Sequence, residues 1–213
     1  MSGGRFPIAR RRAAAYLGTA ACASLCAVAL PSAADPGATE VTRLLQRDFH
    51  ARGQAAMDRV VQDGLQHVCT ATHDKPPEAI AKTLEADQLK TIVFPAGSLL
   101  GDWKRGEKIA QSGRGMMWND KPGGEAGGSC YNCHQISPQE LSYGTIGPSL
   151  LAYGKRRGSA EDAQRFVYGK IYNAKAYNAC SQMPRLGYSH SLGEQDIKDL
   201  TALLLDPGSP VNK

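Results

Sequence analysis

The chain of 213 residues is 42% hydrophobic, 21% charged and 7% aromatic, a composition typical of one soluble domain. This composition excludes disordered, collagen-like and multi-span membrane proteins. The formal net charge is +5, but the first 34 residues contain four arginines and no acidic residue. Without those four of the 25 basic residues, 21 basic residues face 20 acidic ones, so overall basicity gives no reason to expect nucleic-acid binding.

The N-terminal segment has the three parts of a secretory signal peptide. Residues 5–12 carry the four arginines, residues 13–30 are uncharged, and residues 31–34 offer small side chains at the cleavage positions. Residues 1–34 are therefore predicted to be a cleaved signal peptide. Removing them would leave a periplasmic chain, residues 35–213, without a membrane span.

Two other interpretations of this segment stay open. An uncleaved stretch of 18 uncharged residues approaches the length of a membrane anchor, although most of its side chains are small. Cys22 and Cys26 would each allow a lipoprotein, but neither follows the apolar and small residues typical of a lipid attachment site.

Apolar residues that recur with a period of 3.6 predict two amphipathic helices after the signal peptide. The first pattern consists of Val41, Leu44, Leu45 and Phe49, and the second of Met57, Val60, Val61, Leu65 and Val68. Residues 78–87 predict another short helix, and residues 91–94 are the one strand-like run. Residues 35–100 are thus predicted to be mainly helical.

The next predicted helix runs from Asp102 to Gly113. Gly106 and Ala110 lie four residues apart on it, and two small side chains at this spacing allow another helix to cross closely.

Two more helices are predicted toward the C-terminus. One covers roughly residues 160–168. The last begins where Ser191 and Glu194 have capping-box spacing and ends at Pro207. Its apolar stripe consists of Ile197, Leu200, Leu203 and Leu204.

The run Cys130-Tyr131-Asn132-Cys133-His134 matches C-x-x-C-H, the attachment motif of a c-type haem. Two intervening residues let both sulfurs reach adjacent vinyl groups of the porphyrin, and the histidine then ligates the iron from one face. The motif occurs once, so one haem c is predicted.

Two other types of site use closely spaced cysteines. A structural zinc site normally needs a second pair of ligands at similar spacing, and the chain has no other C-x-x-C and no H-x-x-x-H. A thioredoxin-like pair is expected between a strand and a helix, whereas a glycine-rich stretch, residues 122–129, precedes this motif. Both types fit less well than a haem site.

The second axial ligand distinguishes an electron carrier from a haem with an open site. Met183 is the best candidate, because it follows His134 by 49 residues and stands before Pro184 in a segment that favours an irregular loop. His190 is the second candidate. Met57 is better explained by helix packing, and the neighbouring Met116 and Met117 lie too close before the motif.

On the His134 side, residues 144–150 read Gly-Thr-Ile-Gly-Pro-Ser-Leu and begin ten residues after the histidine. A carbonyl in this proline-fixed turn would accept the second ring N–H of His134 and fix its tautomer; the alternative is that the run is only a surface turn. Pro148 is therefore predicted to contact the haem site on its proximal side.

Cys69 and Cys180 are the two remaining cysteines of the predicted exported chain, and we expect a disulfide between them. It would tie the N-terminal helical part to the Met183 loop. A bond to a partner protein, a free thiol and iron ligation by Cys180 are the alternatives.

Residues 154–185 hold seven basic residues and only two acidic ones. Such a charge excess would steer an acidic redox partner if it surrounded the haem edge, and otherwise it is a solvated surface. The basic residues are Lys155, Arg156, Arg157, Arg165, Lys170, Lys175 and Arg185.

With these segments, the chain resembles SoxX, the small cytochrome c subunit of the SoxAX complex of bacterial thiosulfate oxidation. The resemblance extends over roughly residues 102–213 and rests on the runs GGSCYNCHQ, GTIGPSL, IYN, SQMPR and DPGSPVN, which begin at residues 127, 144, 171, 181 and 206. The haem motif alone indicates only a cytochrome c, whereas the Met-Pro-Arg loop and the Ser-Pro-Val-Asn tail make the resemblance more specific.

The resemblance implies an all-α, class I cytochrome c fold over residues 101–213, preceded by a helical extension over residues 35–100. It implies covalent haem attachment through Cys130 and Cys133, with His134 and Met183 as axial ligands. The extension is longer than in the shortest SoxX proteins, so its role stays open between covering the haem and enlarging a partner interface.

The resemblance also implies partners. A SoxA-type cytochrome would form a heterodimer with this chain and carry the catalytic centre of an L-cysteine S-thiosulfotransferase, which attaches thiosulfate oxidatively to a cysteine of the SoxYZ carrier. This chain would relay the electrons to a soluble cytochrome c. An independent mobile cytochrome c and a haem enzyme with an open site remain the alternatives.

Overall fold

A computed structural model describes residues 36–213, with side chains from residue 40 onward. Seven α-helices follow one another: α1 (Pro36–Asp48), α2 (Gly64–Ala71), α3 (Glu78–Leu89), α4 (Trp103–Gln111), α5 (Tyr153–Arg157), α6 (Glu161–Tyr172) and α7 (Glu194–Leu205). Short 3₁₀ turns lie at Met57–Val60, Cys130–Asn132, Ala174–Ala176 and Pro210–Asn212. No β-strand occurs in residues 36–213, which confirms the predicted all-α class.

None of the helices in the described part is both long and apolar enough to cross a membrane. The predicted signal peptide, and the anchor and lipoprotein alternatives on Cys22 and Cys26, lie outside the described residues.

The strand predicted at residues 91–94 is wrong. The amides of Thr91 and Ile92 donate to the carbonyls of Gln88 and Leu89, so the start of this run only completes the turn that ends α3. A β-branched run needs a partner strand for its backbone groups, and the described residues supply none here.

The second predicted N-terminal helix, which includes Met57 and Val68, is divided into two parts. Asp63 caps α2 through a capping box, in which its side chain accepts from the Gln66 amide and the Gln66 side chain accepts from the Asp63 amide. This reciprocal pair starts a new helix after the 3₁₀ turn at Met57–Val60. The spacing of the apolar residues alone does not reveal such an interruption of the helix.

The first predicted pattern does form a helix, but its apolar face lies outward. Val41 and Phe49 are 55% and 53% exposed, so α1 adds little to the core of the described residues. The main core lies instead between α4, α6 and α7. Its best-buried members include Ile109, Val167, Tyr168, Ile197, Leu200 and Leu203.

The closest helix pair is α4 with α7, as the small residues of α4 predicted. A side chain added at Gly106 would place its Cβ 2.2 Å from the Asp199 carbonyl oxygen, and Ala110 is fully buried. The predicted cap of α7 is wrong: Asp196, not Glu194, accepts the Gly193 amide, while Ser191 pairs with Ser189.

The C-terminal tail fixes α5 against α7. The Asn212 side chain accepts from the Gly154 amide and donates to the carbonyls of Leu204 and Asp206. Ser209 is fully buried and its hydroxyl donates to the Leu203 carbonyl. The Ser-Pro-Val-Asn run of the resemblance therefore has a structural role within this chain.

We expect Gly106→Ala to lower the free energy of unfolding by about 1–3 kcal/mol, because the new methyl group forces α4 and α7 apart. Gly64→Ala is the matched control. Gly64 is the first residue of α2 and no atom approaches its added Cβ within 4 Å, so this change should be neutral or slightly stabilising. Urea denaturation of both variants measures the difference, and equal effects would contradict the close crossing.

Candidate functional site

The Cys-x-x-Cys-His motif is held against the end of α4. The amide of Gly128 donates to the Ile109 carbonyl and that of Ser129 to the Ser112 carbonyl. Ser129 has a left-handed backbone, with φ of 46°, which turns the chain into the 3₁₀ turn at Cys130–Asn132. The motif is therefore a short turn, and the two residues before it are hydrogen-bonded to the end of α4. It is not part of a strand–helix unit.

Residues 144–150 lie along the other side of the motif. Three backbone hydrogen bonds of 2.7–2.8 Å join the two segments. They run from the amides of Gly144, Gly147 and Leu150 to the carbonyls of Tyr131, Cys133 and Gln135, respectively. This ladder of contacts sets the position of the motif relative to the Pro148 turn.

His134 is oriented by Pro148. Its Nδ1 lies 2.8 Å from the Pro148 carbonyl oxygen, the hydrogen bond expected from the sequence. A carbonyl oxygen only accepts, so Nδ1 carries a proton and donates the hydrogen bond, which in the neutral ring leaves the lone pair on Nε2. A histidine in this tautomer is prepared to ligate a metal through Nε2.

Gly147 packs directly on the imidazole ring. A Cβ at this position would lie 2.2 Å from Cε1 and 2.5 Å from Nδ1 of His134. The backbone of Gly147 thus contacts one side of the His134 ring, and any side chain at position 147 would displace the ring. Gly147 therefore restricts the His134 ring to the orientation in which the ring is hydrogen-bonded to Pro148.

We therefore expect Gly147→Ala to break the His134 to Pro148 hydrogen bond by displacing the ring, at a cost in unfolding free energy of about 1–3 kcal/mol. The NMR signal of the Nδ1 proton reports the hydrogen bond, and Gly64→Ala again serves as the control. An unchanged Nδ1 signal in Gly147→Ala would show that the ring tolerates the extra methyl group.

Cys130, His134 and Met183 line one cavity. The cavity holds about 360 Å³ of space free of protein atoms, part of it open to solvent. Its other lining residues are apolar and come mainly from α4, α6 and α7: Ala110, Ile136, Leu150, Ile171, Leu200, Leu203 and Leu204. The fold thus brings Met183 to the same cavity as the motif, 49 residues away in sequence.

This donor set fits a haem. An imidazole with a free Nε2, a thioether and a thiol at the wall of an otherwise apolar cavity are the groups that a c-type haem uses. Cys130 and Cys133 are not bonded to each other, so neither thiol is used in a disulfide; Cys130 lines the cavity, whereas Cys133 lies outside its lining.

Burial raises the pKa of the Cys130 thiol to about 12, because an apolar environment disfavours the thiolate. Redox-active cysteines have lowered pKa values instead. The environment of Cys130 therefore differs from that of a thioredoxin-like pair.

The other candidate ligands lie elsewhere. His190, the second candidate from the sequence, is exposed and lies outside the cavity lining. Met116 and Met117 belong to a segment whose carbonyls accept from Arg59 and Gln54, away from the cavity. Within the described residues, Met183 is the methionine that shares the cavity with His134.

Cys69 and Cys180 form a disulfide, the pairing expected from the sequence, with an S–S distance of 2.08 Å. A free thiol and iron ligation by Cys180 are thereby ruled out for this structure. The bond joins α2 to the loop that carries Met183 and closes a separation of 111 residues.

The expectation of a basic rim is only partly met. Lys155, Arg156 and Arg157 of α5 are exposed. Lys175 is only 8% exposed, and its ammonium group donates to the carbonyls of Ala179 and Ser181. Burial lowers its pKa, and that of Lys170 for the same reason. The basic residues therefore do not form a continuous surface.

Three residues that hold the Met183 loop were not predicted from the sequence. Asp63 binds Arg185, Glu85 accepts the Ala179 amide, and Gln88 accepts from Arg185. The Asp63-x-x-Gln66 spacing does signal a helix cap, but a second role for the same carboxylate has no local signal.

The chain has a relative among known proteins. The chain is 36% identical over 155 residues to an uncharacterized lipoprotein of Aquifex aeolicus (strain VF5), and the match covers 71% of this chain and 73% of the relative. No family model matches.

Proposed function

The chain belongs to the family of this Aquifex aeolicus lipoprotein, and from the site described above we propose that it is an exported, mono-haem c-type cytochrome. One observation carries the proposal: Cys130, His134 and Met183 line a single cavity that is otherwise apolar. Haem c would be attached through Cys130 and Cys133, and its iron would be ligated by His134 and Met183.

The residues of the chain would set the properties of the bound group. Haem supplies one reversible electron transfer at its iron. His134 would present Nε2, while the Pro148 carbonyl holds its Nδ1 proton and makes the ring a stronger donor. Met183 would supply the second protein ligand of the iron, which would exclude small ligands and raise the reduction potential.

The apolar wall would exclude water from most of the site. Leu200, Leu203 and Leu204 of α7 are buried in the core, and they bring one face of α7 to the cavity. A low-polarity environment lowers the reorganisation that accompanies a change of charge, as an electron carrier requires. A carrier with two protein ligands is therefore favoured over a haem enzyme with an open site.

Within this class we propose a subunit of a SoxAX-type complex, in which a SoxA-type partner carries the thiosulfate chemistry. The support is the sequence resemblance, which includes the Met183-Pro184-Arg185 loop. An independent mobile cytochrome c is the second candidate, since the site geometry serves both.

Export is supported from two sides. Residues 1–34 have the composition of a signal peptide, and the Aquifex relative is named a lipoprotein. Cleavage after Ala34 and lipid attachment at Cys22 would yield mature chains of different length and mass. The mass of the periplasmic or membrane-associated protein decides between them.

The haem proposal is tested on protein produced in a host with c-type haem maturation. We expect an intact mass that includes one haem, and its loss in Cys130→Ser/Cys133→Ser. Cys69→Ser/Cys180→Ser also removes two cysteines but leaves the motif, so its folded fraction should carry haem despite the stability lost with the disulfide. A wild-type chain without haem under these conditions would refute the proposal.

The complex is tested by gentle purification from the periplasm of the native host grown on thiosulfate, followed by mass analysis of every copurifying chain. A stoichiometric SoxA-type cytochrome would support the subunit assignment. A lone mono-haem chain, at a concentration where a stable complex persists, would favour the mobile carrier.

A further inference from the structure

The loop that carries Met183 has little hydrogen bonding of its own. Between residues 182 and 186, the one backbone amide that donates a hydrogen bond within the described part of the chain is that of Met183, to the Ser181 hydroxyl. Pro184 has no backbone N–H to donate. Contacts from other elements must therefore fix where the thioether lies.

Before Met183, the loop is anchored covalently and by a buried amine. The disulfide joins Cys180 to Cys69 of α2. Lys175 donates to the carbonyls of Ala179 and Ser181 at 3.4 and 3.1 Å, which closes the chain around its ammonium group. The Ala179 amide also donates to Glu85 of α3 at 3.0 Å.

After Met183, the loop is anchored by Arg185. Its Nη2 lies 2.5 Å from Oδ2 of Asp63, and its Nη1 lies 3.3 Å from Oε1 of Gln88 in α3. The Arg185 side chain is 12% exposed and that of Asp63 is 37% exposed, so the arginine is the better shielded partner of this ion pair. Oδ1 of Asp63 is already used to cap α2.

From these contacts we propose that the segment of residues 63–88 positions Met183, with Asp63 and Arg185 as positioning residues. This inference rests on the proposed haem ligation. It gives the N-terminal extension a role different from the two suggested by the sequence: the segment clamps the ligand loop on both sides of Met183, through Cys180 before it and Arg185 after it.

The clamp predicts how easily the ligand is displaced. An external ligand such as cyanide reaches the ferric iron only after the thioether has left, so its binding rate reports opening of the loop. Weakening the clamp should raise this rate even where the overall fold is intact. The thioether-to-iron charge-transfer band of the resting protein should remain present.

Asp63→Asn is the sharpest test. Asparagine is isosteric and caps helices as well as aspartate, so α2 is retained, whereas the charge that holds Arg185 is removed. We expect cyanide to bind about tenfold faster, because local opening becomes more populated. Asp63→Glu, which restores the charge, should recover part of the wild-type rate.

Lys82→Gln is the matched control. It removes the ion pair with Glu78 on α3, within the same segment, in which the two side chains are 71% and 81% exposed. Hydrogen exchange of residues 180–186 in the haem-loaded protein gives a second readout independent of the iron. It should be faster in Asp63→Asn and unchanged in Lys82→Gln.

The possible failures are distinguishable. A wild-type protein without haem, or without the thioether-to-iron band, would refute the proposed ligation on which the clamp depends. A wild-type protein with the band, together with equal cyanide rates and equal exchange in Asp63→Asn and Lys82→Gln, would refute the clamp alone. Reduction of the disulfide should add to the Asp63→Asn effect if both anchors hold the loop.

Discussion

Replacing Cys69 and Cys180 together with serine is expected to lower the free energy of unfolding by about 4 kcal/mol. The disulfide closes a loop of 111 residues, and in the chain-entropy model a loop of this length restricts the unfolded state by about 4–5 kcal/mol. Serine keeps a hydroxyl near the Ala179 carbonyl, which the Cys69 sulfur approaches at 3.6 Å, so little else is lost.

Urea denaturation of wild type and double variant, with and without a reductant, measures this effect. The wild type in reductant should approach the stability of the variant, while the variant should not respond to reductant. Without reductant, the unfolding free energies of wild type and double variant could differ by less than about 1 kcal/mol. Such a result would mean that the unfolded chain gains little freedom when the bond is absent.

Replacing Met183 with alanine is expected to remove the second axial ligand of the proposed haem. The ferric protein should lose its thioether-to-iron band, and the ferrous protein should bind carbon monoxide readily. The reduction potential should fall by an amount on the order of 0.1 V, since axial ligands set haem potentials over about 0.8 V.

Met116→Ala is the control for Met183→Ala. Both side chains are partly buried methionines, but Met116 lies outside the cavity lining. Met116→Ala should keep the thioether-to-iron band and the reduction potential of the wild type. Retention of the band in Met183→Ala, or its loss in Met116→Ala, would overturn the assignment of the ligand.

Features encoded by short-range patterns were predictable. The spacing of Cys130, Cys133 and His134 follows from attachment chemistry and needs no knowledge of the fold. The crossing at Gly106 follows from small residues on an amphipathic helix, and the contact of His134 with Pro148 from a turn ten residues further on. Each signal lies within one segment of the chain.

Most of the errors come from contacts that the pattern used for the prediction does not contain. Lys175 appears in the sequence as one charge of a basic run, yet the loop that follows it buries its amine against two carbonyls. Residues 91–94 have strand composition but no partner strand. The pairing of Asp63 with Arg185 spans 122 residues, a separation that no local pattern reports.

The packing of α7 has a consequence for access to the cavity. Leu200, Leu203 and Leu204 of α7 form one of its walls, and Asn212 holds α5 against the end of that helix. When α7 undocks by local unfolding, this wall is removed as a unit and the cavity opens along one side. Exchange of a bulky group would therefore be limited by the opening of α7.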